Sequence, residues 1–253
     1  MALVPALVGF VLLATGPAGG TVWQGTIPPS ARASVVYLPP HFTPLRRYPV
    51  VFLLHGMPGD PTGFVRALRL ADTADGIGHP FIAVAPVAGP SGRYRGEWAG
   101  HWEDYVVRDV VPWARRWLPV SERTIAGISA GGFGAVDIAL RHPGLFGTVE
   151  SWGGYFVPFA DGPLRGASRE QMQSHDPALL VRREAGMFRR VRFFLSSGPT
   201  HGDVLQSQTR AFGAELAGLG IPHVTWLLHT RKADWRGQLT LGLRYAVGAG
   251  ATS

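Results

Sequence analysis

The chain reads as an α/β protein with a mostly parallel central sheet and helices on both faces. Three observations predict this. Apolar strand-like runs alternate with helix-like segments along most of its length, the pattern of βαβ units. The run YPVVFLL at 48–54 is apolar without interruption, as in a strand buried on both faces. The strand-like RTIAGI at 123–128 passes through one serine into the helical AGGFGAVDIAL, a strand–turn–helix unit.

Val35 to Leu38 is the first predicted strand, ended by Pro39 and Pro40. Tyr48 to Leu54 follows, then the turn-rich HGMPGDPTG and a helical spacing from Phe64 to Asp75. Phe81 to Ala85 is a short strand stopped by Pro86, and residues 86–100 form a Gly- and Pro-rich loop. Trp102 to Leu118 has helical periodicity, with Pro112 expected to kink it. Beyond the central unit, Thr148–Trp152, Val191–Leu195 and Val224–Leu228 are strands. Val204–Leu219 and Trp235–Val247 are helices, the former ended by Gly220. Residues 153–190 mix Gly, Pro and charge and read as a cap-like insertion beside a site.

Of the 253 residues, 46% are hydrophobic and 16% charged, enough for one sizeable core. There is no cysteine, which excludes disulfides, thiolate metal ligands and a cysteine nucleophile. The net charge of +7 fits either an arginine-rich surface or attraction to an anionic membrane surface. The basic residues fall in scattered pairs such as Arg115/Arg116, and no nucleic-acid-binding motif is present in the sequence.

No charged residue precedes Arg32. Ala2 to Ala14 is an apolar run followed by the small residues of 15–20. That run is too short to span a bilayer alone but suits the hydrophobic part of a signal peptide, although no Lys or Arg precedes it. A short membrane anchor, or the remnant of a longer one, is the other reading. Residues 1–20 are therefore set apart as a leader-like or anchoring segment, and 21–253 as one domain. An exported or membrane-associated protein is expected, with a cytoplasmic one as the alternative.

Gly127-Ile128-Ser129-Ala130-Gly131 is a GxSxG element in strand–turn–helix context. A serine on such a turn projects its hydroxyl from the sheet edge, and the flanking glycines let strand and helix backbones pass closely. A developing oxyanion then needs preorganised N–H donors. Ala130, the residue after the serine, is one candidate. Met57, in LLHGMPG after the 48–54 strand, is the other. His55 in that loop reads either as catalytic or as a residue that shapes the loop.

YLPP, LLHGMPG, AGISAGGFGAVDIALRHPGLFG and WGGYF together resemble the putative-esterase branch of the α/β-hydrolases. That branch includes S-formylglutathione hydrolases, feruloyl esterases and mycobacterial mycolyltransferases, and the resemblance covers roughly residues 22–247. It implies an α/β-hydrolase fold, no cofactor, and Ser–acid–His acyl transfer on a small-molecule or lipid ester or thioester. By position, the acid it implies is Asp203 in GPTHGDVLQ, which reads equally as the N-cap of the following helix. The histidine it implies should precede Asp234-Trp235, where this chain has Ala233. Lys232 beside it is a poor base unless desolvated. His229, at the end of the last strand, is the candidate displaced base, and otherwise a strand-end residue with no role. His201 in the acid loop is a further candidate. Two readings follow. One is a serine esterase or acyltransferase using Ser129, Asp203 and His229. The other is a catalytically impaired homologue that binds an acyl or glycolipid ligand.

Overall fold

A computed structural model describes residues 5–89, 98–198, 203–228 and 234–248, with backbone alone at residues 5 and 203. Nine strands form one sheet: β1 (Val11–Thr15), β2 (Thr21–Thr26), β3 (Ala33–Leu38), β4 (Tyr48–Leu54), β5 (Ile82–Ala85), β6 (Val120–Ile128), β7 (Thr148–Trp152), β8 (Arg192–Ser197) and β9 (His223–Leu227). Their spatial order is β1-β2-β3-β5-β4-β6-β7-β8-β9. The pairs from β5 to β9 are parallel, whereas β1, β2 and β3 pair antiparallel on one flank. This is the mostly parallel sheet that the alternation predicts.

The helices are α1 (Thr62–Arg66), α2 (Leu70–Asp75), α3 (His101–Asp104), α4 (Val111–Trp117), α5 (Ala130–Arg141), α6 (Arg169–Gln173), α7 (Pro177–Arg183), α8 (Ala185–Phe188), α9 (Asp203–Gly218) and α10 (Trp235–Ala246). Side chains alternate across the sheet, as the strand pleat requires. On β4, Val50, Phe52 and Leu54 face one core with Val136 of α5 and Leu216 of α9. Val51 and Leu53 face the other, with Leu70 of α2 and Leu243 of α10.

Three elements differ from their sequence reading. The helix read over Phe64–Asp75 is two helices, because Arg69 between them sits at φ 50, a left-handed conformation. The helix read over Trp102–Leu118 is not one continuous α-helix: a π-helical stretch, Tyr105–Val110, joins α3 to α4, and Pro112 follows it in the first turn of α4. Finally, Val11–Thr15, inside the run read as leader or anchor, is a strand of the sheet.

That strand is held by a carboxylate from the far side of the hairpin. Asp75 Oδ2 accepts from the N–H groups of Ala18 and Gly20, and Asp75 Oδ1 accepts from the Tyr37 hydroxyl. The β1–β2 turn wraps this group so closely that a Cβ on Gly20 would lie 2.1 Å from Asp75 Oδ1. Small residues in 15–20 are thus needed for the turn itself. Asp75→Ala is expected to lower the urea-unfolding free energy by about 2 kcal/mol, as for lost hydrogen bonds to a charged acceptor. An unchanged unfolding midpoint would show that the hairpin stands without it.

Candidate active site

The strand order reverses between β4 and β6. From β4 the chain moves outward to β5, and from β6 it moves the other way through β7, β8 and β9. A crevice at the carboxyl ends of the two strands follows from that reversal, and ligands of open α/β sheets bind at such points. The loops that follow β4 and β6 begin with His55 and Ser129.

Ser129 has φ 54 and ψ −119, a positive φ unusual for a residue with a side chain. Its backbone is pinned on both sides. The N–H donates to the Trp152 carbonyl at the end of β7, 3.0 Å away. The carbonyl accepts from Gly132 and Phe133 at 2.8 and 3.1 Å, opening α5. The flanking glycines are required by space. A Cβ on Gly127 would lie 2.2 Å from the Gly131 carbonyl oxygen, and one on Gly131 would lie 2.1 Å from that of Leu54.

The oxyanion candidates come together beside this turn. Ala130 is the first residue of a twelve-residue helix, where N–H groups have no intrahelical acceptor and the dipole favours negative charge. Met57 packs against the small cluster of Ala130, Phe133 and Tyr155. The backbone of this loop also lies close, since a Cβ on Gly56 would sit 3.4 Å from Ser129 Cβ.

His55 belongs to the scaffold of that loop. It is buried, and its Nε2 accepts from the Ala88 N–H at 3.1 Å. This leaves the ring proton on Nδ1, donating to the Gly56 carbonyl at 3.0 Å. Its own carbonyl accepts from Trp98 Nε1, and the two rings pack edge to face. Burial pushes its pKa down to about 4. With both ring nitrogens engaged, His55 shapes the loop, the second of its two sequence readings.

The remaining loops are tied to the same edge. Leu205, in the first turn of α9, packs on the Ala130–Phe133–Tyr155 cluster. Gln206 Nε2 donates to the Leu228 carbonyl at 2.8 Å, joining the start of α9 to the end of β9. Trp235 at the start of α10 lies over Gly153, where a Cβ would stand 2.7 Å from its ring. Asp234 caps α10 by accepting from the Gly237 N–H at 2.7 Å. Asp203 opens α9, and its side chain lies outside the description. His201, His229, Lys232 and Ala233 also lie outside the described residues.

A cleft of about 410 Å³ opens against the elbow, with Gly56, Phe64, Arg66, Ile128 and Trp235 among its walls. Trp152, Tyr155 and Phe156 lie at the end of β7 and just after it. Tyr155 stacks on Phe133 within the elbow cluster, whereas Trp152 is core and Phe156 stacks on Phe212 of α9. The 153–190 segment carries α6, α7 and α8. Two bonds hold it to α5. Arg141 Nη1 donates to the Ser174 carbonyl, and His175 Nδ1 pairs with the fully buried Asp137 at 2.6 Å.

Glu103, Asp137 and His175 bring potential metal-ligand atoms within 4.8 Å of one another. Glu103 Oε1 already receives Arg141 Nε and His142 Nε2, each at 2.8 Å. The cluster therefore works as an ionic tie between α3, α5 and the cap. Sequence reading missed it because its members are scattered over three segments.

A family model described as putative esterase matches residues 27–219. Over 119 residues the chain is 32% identical to Esterase Rv1288 of Mycobacterium tuberculosis, a stretch that is 43% of this chain and 26% of that protein. The chain thus spans about a quarter of the relative's length. Among solved structures, a ferulic acid esterase superposes with a TM-score of 0.73 at 21% identity, covering 95% of this chain and 97% of its own. The serine hydrolase FphF of Staphylococcus aureus, described as fluorophosphonate-binding, gives 0.72 at 17% identity, covering 92% and 99%. At these identities the superpositions establish a shared fold.

Because burial holds His55 neutral, its protonation opposes folding. Its folded pKa lies below the ordinary 6.5, so stability falls as pH drops from 6.5 toward 4. About 3 kcal/mol is expected to be lost over that window from this residue. Urea unfolding of His55→Gln, which takes up no proton there, should lack that part of the slope.

Proposed function

Since the chain belongs to the putative esterase family and has the α/β-hydrolase fold, we propose that it is a serine esterase or acyltransferase whose acyl-enzyme forms on Ser129. The family favours small-molecule esters as substrates, with thioesters and lipid esters as the finer possibilities the proposal includes. The observation that carries the reading is the backbone of Ser129, held at φ 54 between two glycines that admit no side chain. A strained turn of this kind costs about 1–3 kcal/mol and has no structural use of its own.

In the proposed reaction Ser129 Oγ attacks the acyl carbonyl and gives its proton to a base. The carbonyl π electrons move to oxygen, and the N–H groups of Ala130 and Met57 hold that oxyanion. Collapse expels the alcohol or thiol, which takes up the proton. Water, or a second alcohol in the transferase case, then releases the acyl group by the reverse sequence. The proposed base is His229, oriented by Asp203. The link from α9 to the end of β9 through Gln206 and Leu228 supports placing these two loops together.

A second reading rests on Ala233, which stands where the family resemblance places the histidine. In that reading the protein binds an acyl or glycolipid ligand with little turnover. We further propose that it works outside the cytoplasm or at a membrane, next to an anionic surface. The charge-free residues before Arg32 and the net charge of +7 support this. Cell fractionation tests it, and a soluble cytosolic protein would count against it.

A fluorophosphonate probe and p-nitrophenyl butyrate separate the two catalytic readings. In the first, the probe labels Ser129 and the ester is hydrolysed, and Ser129→Ala loses both. His229→Ala is then expected to lower kcat by about 10⁴- to 10⁶-fold. In the second, the parent neither labels nor hydrolyses, and Ala233→His raises the rate. An active enzyme indifferent to His229→Ala would remove His229 as the base.

A further inference from the structure

Residues 8–13 carry an apolar surface that is exposed among the described residues. Val8, Val11, Leu12 and Leu13 are 72, 67, 47 and 41% exposed. Three of them lie on β1, the edge strand, whose outer side has no strand beside it among the described residues. VLLAT carries none of the charges or prolines that commonly guard such an edge.

This segment is fixed against a cationic helix. Ala6 and Leu7 are buried, and Phe10 stacks on Trp113 of α4 with ring centroids 6.1 Å apart. One turn further, α4 ends in the exposed Arg115, Arg116 and Trp117, with the Arg116 guanidinium over the Trp117 ring. Arg123 on β6 adds to the same field. Burial, and after it the Arg115 charge, disfavour its charged form. Among the described residues, none of these three arginines forms an ion pair with a carboxylate.

We propose that this edge of the sheet, entering edge-on with Leu12 on the α4 side and Val11 on the opposite one, docks on an anionic lipid surface. Val8, Val11, Leu12 and Leu13 enter the boundary between headgroups and acyl chains, and Arg115 and Arg116 meet the lipid phosphates. Charge complementarity selects this occupant. A second copy of the chain would bring two cationic helix ends together, whereas anionic headgroups neutralise them. An apolar patch beside arginine and an exposed tryptophan is also the composition that rests at a membrane interface. Among the described residues no helix is long and apolar enough to cross a membrane, so the docking lies in the plane of the interface. The inference locates on the fold the anionic surface proposed above, rests on that placement, and does not depend on turnover.

Co-sedimentation of the full chain with vesicles tests it, comparing phosphatidylcholine alone with a three-to-one mixture of phosphatidylcholine and phosphatidylglycerol. Binding is expected to be about tenfold or more stronger on the anionic vesicles and to weaken as salt rises. Leu12→Ser with Leu13→Ser should remove binding to both. Arg115→Glu with Arg116→Glu should lower binding to the anionic vesicles by about 25-fold and leave the thermal midpoint unchanged. If the serine variant unfolds, the charge-reversed one decides. Equal binding to both vesicles, or equal binding by the charge-reversed variant and the parent, overturns the proposal. So does a dimer seen by light scattering that the serine variant dissociates, since a second copy then covers the edge. Hydrolysis of p-nitrophenyl butyrate in the same samples reads the active-site proposal separately.

Discussion

There is no room for a methyl group at Gly131: it would lie 2.1 Å from the carbonyl oxygen of Leu54. At Gly127 it would meet the Gly131 carbonyl at 2.2 Å. The end of β6, the start of α5 and the end of β4 therefore touch through backbone alone. The rest of the site depends on this approach. It lets the chain reverse from strand to helix at Ser129, and it brings the loop after β4 alongside. It also starts α5 immediately after the serine, so the first residues of that helix lie beside the turn. Because β4 and β6 are the two strands between which the sheet order reverses, the crevice forms there and at no other strand pair of the parallel region.

Around that fixed turn the protein distributes its polar groups so that few compete for the site. His55 stands only a few residues from the elbow in space, yet the Ala88 N–H and the Gly56 carbonyl hold both of its ring nitrogens. Its role is to set the path of the loop that carries Met57. Glu103 pairs with Arg141 and accepts from His142 in a partly buried cluster, next to the Asp137–His175 pair. These ties hold the cap, and breaking one partner would leave the other charge buried without compensation. The cost of ordering the 153–190 segment is thus offset at α5, behind the elbow.

The proton acceptor is where family resemblance and this chain part. Backbone geometry at Ser129 is that of a strained strand-to-helix turn, and packing brings Ala130 and Met57 together beside it. A nucleophilic serine still needs a base, and the residue at the resembling position, Ala233, has no atom to accept a proton. Gln206 on Leu228 draws the start of α9 to the end of β9.

By itself the sequence determined the α/β class, the elbow and nearly every strand of the parallel region. These rest on local signals: YPVVFLL is apolar enough to be buried on both faces, and Gly127-Ile128-Ser129-Ala130-Gly131 joins strand to helix within five residues. It also set Ala233 against the histidine that resemblance calls for. Only the tertiary structure decided the role of His55, because an imidazole is a base or a brace according to what its two nitrogens meet. Only the structure showed Val11–Thr15 to be a strand. An apolar run of that length looks alike in a leader and in a sheet, and the Asp75 carboxylate that holds its turn comes from a helix about sixty residues away. The ionic tie behind α5 was invisible for the same reason, since Glu103, Asp137 and His175 become neighbours only once the chain has folded.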